Sequence, residues 1–141
     1  MEKTVVLIKP DAVKKGVIGK IITRFEQEGF IMIAAKFLKL PDDLLDHWYA
    51  HHKDKAFFPG LKAFMTSTPV MAMLWEGKGV ADRIRTLCGP TDSRKADKGT
   101  IRGDYGHDVQ MNAIHASEDV TAAQREMDLL FLPHEIHKYT R

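Results

Sequence analysis

Four short runs of strand-forming residues, separated by segments with helical spacing, limit what this chain can fold into. Thr4-Val5-Val6-Leu7-Ile8 is β-branched and apolar and stops at Lys9-Pro10-Asp11, where proline removes a ladder donor, so it reads as a buried central strand. Residues 30–38 read as a second strand, 70–75 as a third buried one, and 112–115 as the fourth. After the first strand, Ile18, Ile21, Ile22 and Phe25 recur at helical spacing, and Gly29 stands where a helix terminates. Pro41-Asp42-Asp43 is a helix start with acids in the first turn, leading through Leu44, Leu45, Trp48 and Tyr49 to an end near His52-Lys53-Asp54. Further helices are expected over 59–65 and 80–87, and a last one from Ser117, read as its N-cap, until Pro133. The order strand, helix, strand, helices, strand, helix, strand, helix gives two β-α-β units with helices on one face. The expected fold class is α+β, a ferredoxin-like sandwich with helices packed on a four-stranded antiparallel sheet. A small doubly wound sheet competes, but no Gly-x-Gly-x-x-Gly or P-loop signature opens a helix.

A length of 141 residues fits one domain, 1–141, able to bury its core without staples. A net charge of +2 is too small to argue for a nucleic-acid partner, and no aromatic RNA-binding sheet motif is present. Cys88 is the only cysteine, which excludes an intramolecular disulfide. The first residues enter a strand without the zones of a signal peptide, and the longest apolar runs are six residues, against roughly 20 for a membrane helix. A cytoplasmic protein with no membrane partner is expected.

Three stretches carry candidate chemistry. His115 ends the fourth strand; a neutral imidazole has a free lone pair and is a candidate nucleophile, although a histidine among Ala113, Ile114 and Ala116 is also a common structural residue. Residues 89–106 lose hydrophobic periodicity, and between Arg85 and Asp104 five cations face three acids, which reads either as a polyphosphate cradle or as a solvated loop. Lys9 closes the first strand, where it either aids solubility or contacts a phosphate or sugar. Tyr49, Phe57 and Phe58 offer a stacking surface for a base or simple core. His47 and His51 share a helix face as some zinc ligands do, without a third ligand in the sequence, and a metal-dependent hydrolase is a competing reading.

Lys9-Pro10-Asp11, Gly99-Thr100-Ile101-Arg102-Gly103-Asp104 and the Asn-x-Ile-His-x-Ser arrangement from Asn112 to Ser117, in this order, closely resemble the nucleoside diphosphate kinases, nearly end to end. The resemblance implies that His115 takes the γ-phosphate of a nucleoside triphosphate and passes it to a nucleoside diphosphate, in a ping-pong reaction with broad base tolerance. Glu126 would orient the imidazole, Ser117 would support Glu126, and Tyr49 would reach the transferred phosphate. Arg85, Thr91 and Arg102 would bind the phosphate chain, and Lys9 and Asn112 the sugar hydroxyl and nearby phosphate oxygens. Phe58 would stack on the base, with Leu61 and Val109 lining the same slot. Mg²⁺ would arrive on the nucleotide, held by phosphates and water, with Glu118 where the family usually has an aspartate near the ion. A homo-oligomer built from dimers is implied, a hexamer or a tetramer, and the end soon after Pro133 favours the hexamer. A catalytically idle nucleotide-binding oligomer of the same fold is the alternative. Three departures stand out: Ala116 in place of a glycine after the histidine, Glu118-Asp119 in place of an Asp-Ser pair, and Ser93 in place of a loop proline. They predict crowding of the phosphate beside the nucleophile and a looser subunit contact.

Overall fold

The computed structural model describes residues 1–141. Side chains alternate along β1 (Lys3–Ile8): Val6 and Ile8 enter one apolar cluster, and Val5 and Leu7 the other, on the opposite face of the sheet. β1 pairs antiparallel with β3 (Val70–Glu76) on one side and with the short β4 (Ile114–Ala116) on the other. β3 also pairs antiparallel with β2 (Ile31–Leu38), which gives the order β2-β3-β1-β4. Each β-α-β unit is therefore split, with a strand of the other unit between its two strands.

One face is covered by α1 (Pro10–Lys14), α2 (Ile18–Gln27), α5 (Val80–Cys88) and α6 (Ile101–Tyr105), through Ala12, Ile21, Phe25, Ile84 and Ile101. The other is covered by α3 (Asp42–Trp48), α4 (Phe58–Met65) and α7 (Val120–Leu130), through Leu45, Trp48, Met65 and Leu130. The expectation of helices on one face holds only for the crossovers. Strands that are apolar on both sides must be covered on both, which the near-continuous runs at 4–8 and 70–75 already encoded.

Local signals explain most boundaries. Gly29 follows α2 at φ +84°, a conformation that favours a residue without a Cβ. The helix expected to reach His52 breaks at Tyr49 (φ −107°, ψ 33°), and a separate tight turn covers Ala50–His52. Residues 89–106 are not bare loop. They contain a helical turn at Ser93–Lys95, capped by Asp92, and α6, capped by Thr100. Ile101 is the only buried residue of α6, too little for a periodic signal. A Cβ on Gly103 would lie 1.9 Å from the Asp97 carbonyl oxygen, so this turn closes only around glycine. The N-cap of α7 is Asp119, which accepts the Ala122 N–H at 2.8 Å, and not Ser117, whose hydroxyl points into the core.

Candidate functional site

His115 lies on β4 opposite Leu7 of β1. Its Nε2 is 2.9 Å from Glu126 Oε1. A carboxylate only accepts, so this contact assigns the ring proton to Nε2 and leaves the lone pair on Nδ1. Glu126 sits on the buried face of α7 with Ala123 and Leu130, a carboxylate inside an apolar stripe. Burying an acid there requires partners. The Ser117 hydroxyl supplies one, donating to the same Oε1 at 2.8 Å while accepting the Val5 N–H at 3.0 Å. The histidine is thus tied through a carboxylate and a hydroxyl to the central strand. Trp48 of α3 stands edge-on to the imidazole, with ring centroids 5.2 Å apart.

A cleft of about 660 Å³ opens beside the ring, lined by Lys9, Tyr49, Leu61, Arg85, Thr91, Arg102, Val109, Asn112 and Glu118 together with His115. The residues that follow β1 and α3, together with α4, α5, the 89–106 segment and β4, all reach it. Lys9 Nζ donates to the Gln110 carbonyl at 2.7 Å and to Asn112 Oδ1 at 2.8 Å. Asn112 in turn donates to the Thr91 and Val109 carbonyls, at 2.9 and 3.2 Å. Arg85 donates to the Glu118 carbonyl at 2.7 Å, and Arg102 spans the Gly89 and Ile114 carbonyls at 2.9 and 2.8 Å. None of these three cations is in a salt bridge. Burial lowers the Lys9 ammonium to about 8, with Arg102 acting the same way and Asp11 and Asp108 opposing. Burial, with the nearby charge of Glu126, pushes the Tyr49 phenol up to about 12, so it remains a hydroxyl donor. Three positive side chains and a phenol around a histidine with an unengaged nitrogen make a site suited to a phosphate chain.

Phe58 does not belong to this cleft. It is 6 % exposed and packs against Tyr49, whereas the neighbouring Phe57, 50 % exposed, lines the cleft. α4 begins at Phe58, which turns that ring inward and leaves Phe57 outside the helix. Two adjacent phenylalanines carry no signal in the sequence that separates them. His52 and Gln110 also line the cleft, as does Cys88, whose thiol burial pushes up to about 12. His47 Nδ1 lies 2.8 Å from the Asp43 carbonyl, and no group of three or more His, Cys, Asp or Glu side chains is placed to hold a metal ion. Ala116 lines the cleft next to His115. Ser93, in place of a proline, donates its N–H to the Asp108 carbonyl at 3.2 Å, a bond proline cannot make, which offsets the freedom its ring would have removed.

The family model described as Nucleoside diphosphate kinase matches residues 2–136. A nucleoside diphosphate kinase of Methanospirillum hungatei is 49 % identical over 141 residues, covering 100 % of this chain and 95 % of its own. That of Thermus thermophilus is 46 % identical, covering 96 % of this chain and 99 % of its own. Among solved structures, a halophilic nucleoside diphosphate kinase from Halobacterium salinarum in complex with CDP superposes with a TM-score of 0.95 at 46 % identity, covering 99 % of this chain and 93 % of that one. A family protein from Babesia bovis gives 0.95 at 41 % identity, covering 100 % and 95 %. Sequence and fold agree over almost the whole length of both partners in each pairing, and the chain belongs to the nucleoside diphosphate kinase family.

Proposed function

We propose that this enzyme transfers the γ-phosphate of a nucleoside triphosphate to a nucleoside diphosphate through a phosphohistidine on His115. The observation that carries the reading is the Glu126 contact, which occupies Nε2 and leaves the Nδ1 lone pair for the cleft. In the first half-reaction Nδ1 forms a bond to the γ-phosphorus as the bond to the β,γ-bridging oxygen breaks, and the nucleoside diphosphate leaves with that electron pair. Glu126 meets the positive charge that grows on the ring, and Ser117 keeps the carboxylate in place. In the second half-reaction a terminal oxygen of another diphosphate attacks the same phosphorus and Nδ1 departs as a neutral imidazole. Arg85, Arg102, Thr91 and Lys9 bind the phosphate chain and spread its charge, Asn112 and Lys9 meet the sugar hydroxyl, and Tyr49 donates to the transferred group.

Stacking falls to Phe57, with Leu61 and Val109 flanking the slot. A ring reads the π-face of a base and not its edge, which gives broad base tolerance. Mg²⁺ carried on the nucleotide fits this cleft: one carboxylate, Glu118, lines it and would stand near the ion, which phosphate oxygens and water would hold. Bound there, it would supply charge neutralisation to the phosphates that Arg85, Arg102 and Lys9 hold. A homo-oligomer, a hexamer ahead of a tetramer, completes the reading, and light scattering measures it.

The test mixes the protein with Mg²⁺ and γ-labelled ATP, isolates it and adds GDP. Label that is acid-labile and alkali-stable, absent from H115A and passed to GDP supports the proposal. Nucleotide binding without trapped label or GTP would make the chain an idle nucleotide-binding member of the fold.

A further inference from the structure

Ala113 is the only residue other than glycine with a positive φ, at +72°. In that region the Cβ crowds its own backbone. The Ile114 N–H donates to the Asn112 carbonyl, two residues back, at 2.9 Å, the pattern of a γ-turn with positive φ, which is rare and strained. The residue is fully buried, two positions before the histidine.

This turn determines where the site's residues face. In an unbroken strand, residues three apart point to opposite sides. Here Asn112 and His115 both line the cleft, because the turn between them changes the phase of the chain. Two bonds fix the turn from outside: the Lys9 N–H donates to the Ala113 carbonyl at 2.9 Å, and the Ala113 N–H donates to Asp11 Oδ2 at 2.9 Å. Asp11 is buried, its other oxygen has no partner, and this is the only hydrogen bond its side chain makes. Keeping a carboxylate there is costly, and its one bond goes to the strained peptide.

We propose that Asp11 is a positioning residue: its carboxylate holds Ala113 in the left-handed turn that brings Asn112 and His115 onto one cleft. Asp11 is absent from the cleft wall, so it acts through the turn and not on substrate. The proposal rests on His115 being the phosphorylated residue.

The test compares single-turnover labelling of His115 in wild type, D11A, D11N and the double variant D11A/A113G, at a temperature where circular dichroism shows each folded. Glycine adopts positive φ without the steric penalty, so it should hold the turn without the clamp. D11N keeps an oxygen acceptor for the peptide. D11A is expected to slow labelling about tenfold, D11N to stay within about threefold of wild type, and D11A/A113G to recover most of the loss. A purely structural role would change melting temperatures without this pattern of rates. Wild-type speed in D11A, a D11N as slow as D11A, or no recovery in the double variant would each overturn the proposal. If D11A does not fold, D11N and D11A/A113G decide it, since both must label near the wild-type rate. Absence of label in wild type would instead refute the phosphohistidine reading itself.

Discussion

Replacing Glu126 by glutamine isolates the charge behind the histidine. The Glu126 side chain is 4 % exposed, and one of its oxygens receives both the His115 ring and the Ser117 hydroxyl. A glutamine oxygen accepts the same two bonds in the same volume, so fold and tautomer survive while the negative charge is lost. A hydrogen bond to a charged group contributes roughly 1.5–3 kcal/mol and a neutral one roughly 0.5–1.5. The difference, about 1–1.5 kcal/mol, falls on the phosphorylation step, where positive charge grows on the ring, and corresponds to a rate lower by about tenfold. E126A leaves the ring N–H and a buried hydroxyl without a partner and frees the tautomer, and should cost about 100-fold. Trp48 supplies the assay: its ring lies 5.2 Å from the imidazole, whereas Trp75, the other tryptophan, is fully buried against Phe25 and contributes a constant background. Stopped-flow fluorescence after mixing with ATP, with W48F as the silent control, reads the rate directly. An E126Q rate equal to wild type would refute the reasoning, because the carboxylate would then be holding the ring without stabilising its charge.

The two adjacent phenylalanines should separate cleanly. F57A should weaken ADP binding by about 1–3 kcal/mol with little change in melting temperature, whereas F58A should destabilise the fold by about 3–5 kcal/mol; calorimetric titration and thermal melts together check this. Lys9, lowered to about 8 in the fold from an ordinary 10.5, should make ADP affinity fall as pH rises through about 8, because the cation is lost there. The sign for stability is opposite: the unfolded chain holds this proton more tightly, so the Lys9 contribution to stability rises between about 8 and 10.5. ADP titrations across this range, with K9M as the flat control, test it. Cys88, buried and with its thiol pushed up to about 12, should react with a thiol reagent only as fast as the chain unfolds.

The first three strands were legible because β-branched runs and turn residues sit in the same short windows, and α2 because four apolar residues and Gly29 agree on one register; the fourth, expected at 112–115, is Ile114–Ala116, because the turn at Ala113 delays it. The motifs led to His115, Lys9, Asn112 and Arg102, which do meet in one cleft. What sequence could not give lies in contacts between distant segments. Ser117 reads as a cap, since a serine before two acids has that pattern, but β4 pairing sets its hydroxyl 3.0 Å from the Val5 N–H, 112 positions away. Phe57 and Phe58 differ only in which side of a helix start they fall. Ala113 gave no signal at all, because alanine announces nothing about a left-handed turn imposed by Asp11 from another element.

The cleft's charges also explain why its cations are held by neutral oxygens. Lys9, Arg85 and Arg102 could have been fixed by carboxylates, but a salt bridge would cancel much of the field that a phosphate chain must meet. Instead Gln110, Glu118, Gly89 and Ile114 offer backbone carbonyls, and Asn112 an amide oxygen, which aim each side chain without neutralising it. The full negative charge that contacts the histidine is placed behind the ring, at Glu126. On the proposed mechanism, an anionic phosphoryl group approaching Nδ1 would meet three cations in front, while the ring it charges would meet a carboxylate at its back. Both proposed half-reactions would use this same polarity, the second in reverse, so one fixed arrangement would serve donor and acceptor without any of these cations or the carboxylate having to change its charge.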